Sequence, residues 1–106
     1  MRILNITDTY IEFDNGKAIH FDHYQQCCEN NYADFSQLDS LAREVDFNEP
    51  LTFESCPYGF RFGNPPVNMF FVPCYSEQNG YYSNELDIWY DGKEVIHGID
   101  CDEVLL

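Results

Sequence analysis

A chain of 106 residues, 44% hydrophobic and 17% aromatic, fits one domain of common size and can bury a core without a metal or disulfide staple. Nineteen Asp and Glu against five Lys and Arg give a formal net charge of −14, a balance that repels nucleic acid and acidic membranes and steers the molecule toward basic surfaces. No window approaches the roughly 20 apolar residues of a membrane span and no basic, then apolar leader opens the chain, so a cytoplasmic setting is expected, with Cys27, Cys28, Cys56, Cys74 and Cys101 as free structural thiols.

The first pattern in chain order is a hairpin. Residues 9–13 and 17–21 alternate apolar and polar positions, the period of half-buried strands, and Asp14-Asn15-Gly16 joins them. A two-residue loop would set Ile19 opposite Glu12 and put the hydrophobic faces in conflict. A three-residue loop with Gly16 in the left-handed conformation sets Ile11 against Ile19 and keeps Phe13 and Phe21 on the same face. That register gathers Tyr10, Glu12, His20 and Asp22 on the outer face.

The next stretch, HFDHYQQCCEN from His20 to Asn30, holds two histidines and two adjacent cysteines. Zinc takes imidazole and thiolate ligands in a tetrahedron, with cysteines spaced so that one turn wraps the ion. In an extended segment His20 and His23 point to opposite faces, as do Cys27 and Cys28. A zinc site would therefore need a turn after Phe21 and a distant ligand such as Cys56, Cys74 or His97. A nucleophilic cysteine would need a nearby cation, and the surroundings are acidic. In the packing alternative, Cys27 or Cys28 points inward as a small apolar residue where the strand leaves the sheet.

Leu38, Leu41, Ala42 and Val45 follow the i, i+3, i+4, i+7 spacing and predict one amphipathic helix, with Ser36 as N-cap and Pro50 limiting its extent. Strands are predicted over residues 51–55, 58–62, 67–75, 81–90 and 94–99, separated by turns at Gly63-Asn64-Pro65-Pro66, Asn79-Gly80 and Asp91-Gly92. A two-residue Asp91-Gly92 loop sets Ile88 against Val95 and Tyr90 against Lys93. The expected architecture is a single α+β domain over residues 1–106, a mainly antiparallel twisted β-sheet packed against one short amphipathic helix.

The segment His23-Tyr24-Gln25-Gln26-Cys27-Cys28-Glu29, followed by Gln78-Asn79-Gly80-Tyr81-Tyr82-Ser83, resembles the paired signature of a small uncharacterised domain family of bacteria and phages. Its members carry an H-x-Q-x-C-C-E-like and an S-N-G-Y-Y-S-like segment in that order. Here Gln26 replaces a usual acid and Gln78 stands where serine is usual. The resemblance covers residues 11–88 and implies a compact domain in a phage or mobile-element context, without a mechanism.

No P-loop, dinucleotide fingerprint, nucleophile elbow or HExxH segment is present, and paired carboxylates such as Glu85 and Asp87 arise readily by chance among so many acids. The chain is therefore read as a non-enzyme that takes no cofactor and no metal. Tyr75, Tyr81, Tyr82, Trp89 and Tyr90 flank turns among acids, and tyrosine and tryptophan are enriched at interface hot spots. The expected function is that of a small acidic binding protein whose face of Tyr10, Glu12, Asp22, Tyr82, Glu85 and Asp87 occupies a basic surface on another protein. A phage-type inhibitor of a nucleic-acid-handling defence enzyme would act in this way, with no direct contact to nucleic acid or membrane. The alternatives are a metal- or thiol-dependent protein centred on His20, His23, Cys27 and Cys28, and a domain of purely structural role.

Overall fold

Period-two alternation runs through most of the chain, and strands are what it builds. The computed structural model describes residues 1–22, 30–78 and 83–105. Its strands are β1 (Ile3–Ile6), β2 (Tyr10–Phe13), β3 (Ala18–Asp22), β4 (Asn30–Ala33), β5 (Thr52–Cys56), β6 (Gly59–Asn64), β7 (Asn68–Gln78), β8 (Glu85–Tyr90), β9 (Lys93–Asp100) and β10 (Asp102–Leu105).

The first sheet is antiparallel with the order β1-β2-β3-β8-β9. Gly16 closes the β2–β3 turn at φ +85°, a conformation that glycine adopts without the Cβ penalty of other residues. Its N–H donates to the Phe13 carbonyl at 3.1 Å, and the Phe13 N–H donates to Lys17 at 2.9 Å. Ile11 consequently faces Ile19 and Tyr10 faces His20, the register that matching hydrophobic faces required. At the other hairpin Asp91 and Gly92 take φ 52° and 73°, the sign pattern of a type I′ turn, and Tyr90 faces Lys93 as expected. Ile88 does not face Val95. It faces Ile96, because register shifts give β9 extra residues relative to β8.

The second sheet has the order β10-β7-β6-β5, with β4 also paired to β7. β7 is long enough to serve two sets of neighbours. Asn68 to Pro73 pair with β6, whereas Tyr75 to Glu77 lie between β4, antiparallel, and β10, parallel. The two sheets share one core. Ile11, Phe13, Ile19, Leu86, Ile88 and Ile99 meet Phe60, Phe62, Val72 and Cys74, and Phe35, Ala42 and Phe47 join from the connecting segment. Phe13 lies edge-on to Phe47, Phe62 and Tyr90, with ring centres 5.9, 6.4 and 6.1 Å away, an arrangement favoured by the ring quadrupoles.

The expected α+β architecture is overturned: the fold is mostly β, and the described residues contain no α-helix. The segment predicted as an amphipathic helix forms two 3-10 turns, Phe35–Gln37 and Ser40–Glu44. Two aspartates account for this. The Asp34 carboxylate accepts from Ser36 N at 3.1 Å and that of Asp39 from Leu41 N at 3.0 Å, local partners that compete with helical hydrogen bonds. Leu38 is extended between the turns at φ −60° and ψ 134°. Ser36, expected as the N-cap, lies inside the first turn and gives its hydroxyl to Asp34. Leu38 and Ala42 are buried and Val45 packs against the core, but Leu41 is 58% exposed, so one of the four helically spaced positions faces water.

The predicted strand over residues 81–90 begins at Glu85 within the described part, and β1, β4 and β10 were not anticipated. No helix among the described residues is long and apolar enough to cross a membrane.

Candidate functional site

Alternation gives the first sheet one aliphatic face and one polar face. On β8, Leu86, Ile88 and Tyr90 are buried, so Glu85, Asp87 and Trp89 point the other way. Pairing sets Trp89 opposite His20 and Asp87 opposite Asp22, and on the next strand His20 opposite Tyr10. Glu12 alternates with buried Ile11 and Phe13 and accepts a 2.8 Å hydrogen bond from Asn5 Nδ2. Tyr10, Glu12, Asp22, Glu85 and Asp87 therefore share the outer face of β2, β3 and β8, as the sequence reading grouped them.

Tyr82 falls outside the described residues, as do His23, Cys27 and Cys28 of the metal or thiol alternative. His20 stacks on Trp89, with ring centres 6.3 Å apart and planes 16° from parallel. Of the distant ligands that a zinc site would draw on, Cys74 is fully buried in the core and His97 is engaged by carboxylates.

The β9 end of this face escaped the sequence reading. Between Leu86 and Ile88 the register shifts, and Gly98 sits at φ +73° on the longer strand. Such a bulge re-aims the side chains around it. The Gly98 N–H donates to Asp87 Oδ1 at 2.8 Å, and His97 Nδ1 lies 2.7 Å from Glu94 Oε1 and 3.1 Å from Asp87 Oδ1. The hydrogen bond to Glu94, followed by the fields of Asp87 and Glu94, raises the His97 pKa above its ordinary value. Ligand-type atoms of Asp87, Glu94 and His97 all lie within 4.8 Å of one another. A cation there would have to displace the imidazole proton that the two carboxylates favour. The available signal was Gly98 itself, since an isolated glycine inside a strand pattern suggests a bulge.

Glu94 pairs with Trp89 across β8–β9, so Glu12, Asp22, Glu85, Asp87 and Glu94 form a carboxylate field over four adjacent strands. Three of the five lysines and arginines are placed elsewhere: Lys17 and Lys93 line a cleft with Glu49, Phe53 and Tyr90, and Arg61 pairs with Glu54 on the second sheet. The Trp89 indole N–H is buried in the middle of the acidic face with no acceptor among the described residues.

Two residues of the second sequence motif have a different setting. Gln78 Nε2 donates to Ser76 Oγ at 2.6 Å, Ser76 Oγ donates to Asn31 Oδ1 at 2.5 Å, and Asn31 Nδ2 donates to the Ser83 carbonyl at 3.0 Å. Asn31, Ser76 and Gln78 are all buried. Gln78 and Ser83 thus belong to a buried polar network, which in a low-dielectric interior specifies one arrangement of the strands that supply it.

Comparison with protein-family models, curated proteins and solved structures finds no match to this chain.

Proposed function

We propose that the outer face of the first sheet docks onto a basic surface of another protein, of the kind that grips nucleic acid, and blocks it. The observation that carries this reading is the grouping of Glu12, Asp22, Glu85, Asp87 and Glu94 on one face, with Tyr10 and Trp89 among them. A carboxylate field of this kind raises the encounter rate with a cationic groove and disfavours acidic partners. The aromatic residues supply contact area that is lost from water on docking. A rigid sheet presents these groups without an ordering cost, which favours affinity.

The test is capture of partners from cell lysate by the tagged chain at low and at high salt, beside the variant E12Q/D22N/E85Q/D87N. One dominant basic partner is expected, released at high salt and not captured by the variant, because exposed charges are screened beyond a Debye length of about 8 Å at physiological ionic strength. A partner retained equally in high salt and by the neutralised variant would show that docking does not use this face.

A further inference from the structure

Two of the cysteines meet in the core. Cys74 lies on β7 and Cys101 between β9 and β10, and neither has exposed surface. β10 runs parallel to β7 with Asp102 opposite Tyr75. Carried back by one residue, that register sets Cys101 opposite Cys74. Neighbouring strands lie about 4.8 Å apart, inside the roughly 4.4–6.8 Å Cα separation over which a disulfide closes. The Cys101 side chain is close enough to be the largest influence on the Cys74 thiol, and its own S–H points to the Ile99 carbonyl at 3.8 Å. Cys56 is set apart from them: Cys56 pairs with Gly59 and Gly59 with Pro73, so alternation turns it to the side opposite Cys74.

We propose that Cys74 and Cys101 are a disulfide-forming pair, which a small-molecule disulfide such as oxidised glutathione converts into a bridge fastening β10 to β7. β10 stands at the end of its sheet and pairs with β7 alone among the described strands, so its opening admits the oxidant. Cys101, at the base of that strand, reacts first. Its thiolate attacks one sulfur of glutathione disulfide, and a glutathione thiolate leaves and takes up the proton that Cys101 lost. Cys74, as thiolate, then attacks the Cys101 sulfur of the mixed disulfide and displaces the second glutathione, which takes up the proton of Cys74. Two protein thiols are oxidised, and one glutathione disulfide is reduced to two thiols. The adjoining Cys101 side chain, followed by burial, holds the Cys74 thiol far above its ordinary pKa, which makes Cys74 the later nucleophile. The bridge also fastens the strand whose next residues, Ser76 and Gln78, carry the buried polar network.

The test incubates the full chain, both folded and during refolding from urea, in a buffer of oxidised and reduced glutathione. Free thiols are then alkylated and the protein is mapped after chymotryptic cleavage, which separates Cys56 from Cys74 at the aromatic residues between them. The expected result is a linked Cys74–Cys101 peptide and a melting temperature roughly 10 °C or more above that of the reduced chain, reversed by dithiothreitol. C56S should keep this shift, and C74S and C101S should each lose it. Bridges confined to Cys27, Cys28 and Cys56, single glutathione adducts, or both core thiols alkylated after refolding would each overturn the proposal. The peptide map of the unaltered chain decides the matter even if C74S does not fold.

Discussion

The side-chain amide of Asn31 donates to the carbonyls of both Ser83, at 3.0 Å, and Glu85, at 3.1 Å, so one residue of β4 ties the second sheet to the beginning of β8 in the first. Asn31→Ala would strip those carbonyls, and the Ser76 hydroxyl, of a buried partner. Unsatisfied buried groups cost about 1–3 kcal/mol each. The variant is expected to lose roughly 2–4 kcal/mol in urea unfolding, with an unchanged slope. A loss well under 1 kcal/mol would mean that the network does not hold the sheets together.

Phe13 touches aromatic rings from three other segments, through Phe47, Phe62 and Tyr90, and is fully buried. Phe13→Ala removes those contacts and leaves a void that surrounding strands cannot fill. A destabilisation of about 3–5 kcal/mol is expected, read as a large fall in the denaturation midpoint.

Leu41 separates the helical from the 3-10 description of its segment. In an amphipathic helix it would be a core position, but at 58% exposure it faces water. Leu41→Ser should change stability by no more than about 0.5 kcal/mol. A loss in the range of a buried leucine would restore the helix.

His97 gives stability a pH dependence of known sign. Its folded-state pKa is raised above the ordinary histidine value, chiefly by the hydrogen bond to Glu94 and the field of Asp87. The stabilisation is therefore complete below the unfolded value and is lost as pH rises through the folded one. Melting temperature should fall as pH rises from about 6 to 8, and His97→Gln should flatten that slope. High salt should flatten it as well, because the imidazole is exposed and screened. An identical slope in His97→Gln would assign the dependence to another group.

Parts of this fold were legible because their causes are local. The β2–β3 register follows from hydrophobic alternation on two short segments and a glycine where the loop needs positive φ. It was enough to place Tyr10, Glu12 and Asp22 on one face, whereas Glu85 and Asp87 join that face only through the pairing of β8 with β3. The Asp91-Gly92 turn was legible for the same reason, since its dihedral signs depend on two residues.

The remainder depended on neighbours distant in the chain. Leu38, Leu41, Ala42 and Val45 have helical spacing, but the aspartates at 34 and 39 cap single turns and leave Leu41 outside. Asn30–Ala33 has no hydrophobic alternation to mark it, and pairing with β7 makes it a strand while burying Asn31 against Ser83 and Glu85. The bulge that joins His97 to Asp87 exists only where β9 pairs with β8. Composition, charge, the β2–β3 hairpin and the Asp91-Gly92 turn were thus determined by the sequence itself, through period, sterics and turn chemistry that act over a few residues. The tertiary structure decided the second sheet, the loss of the helix and the Cys74–Cys101 contact, because long-range strand pairing and burial outweigh local propensities too weak to act alone.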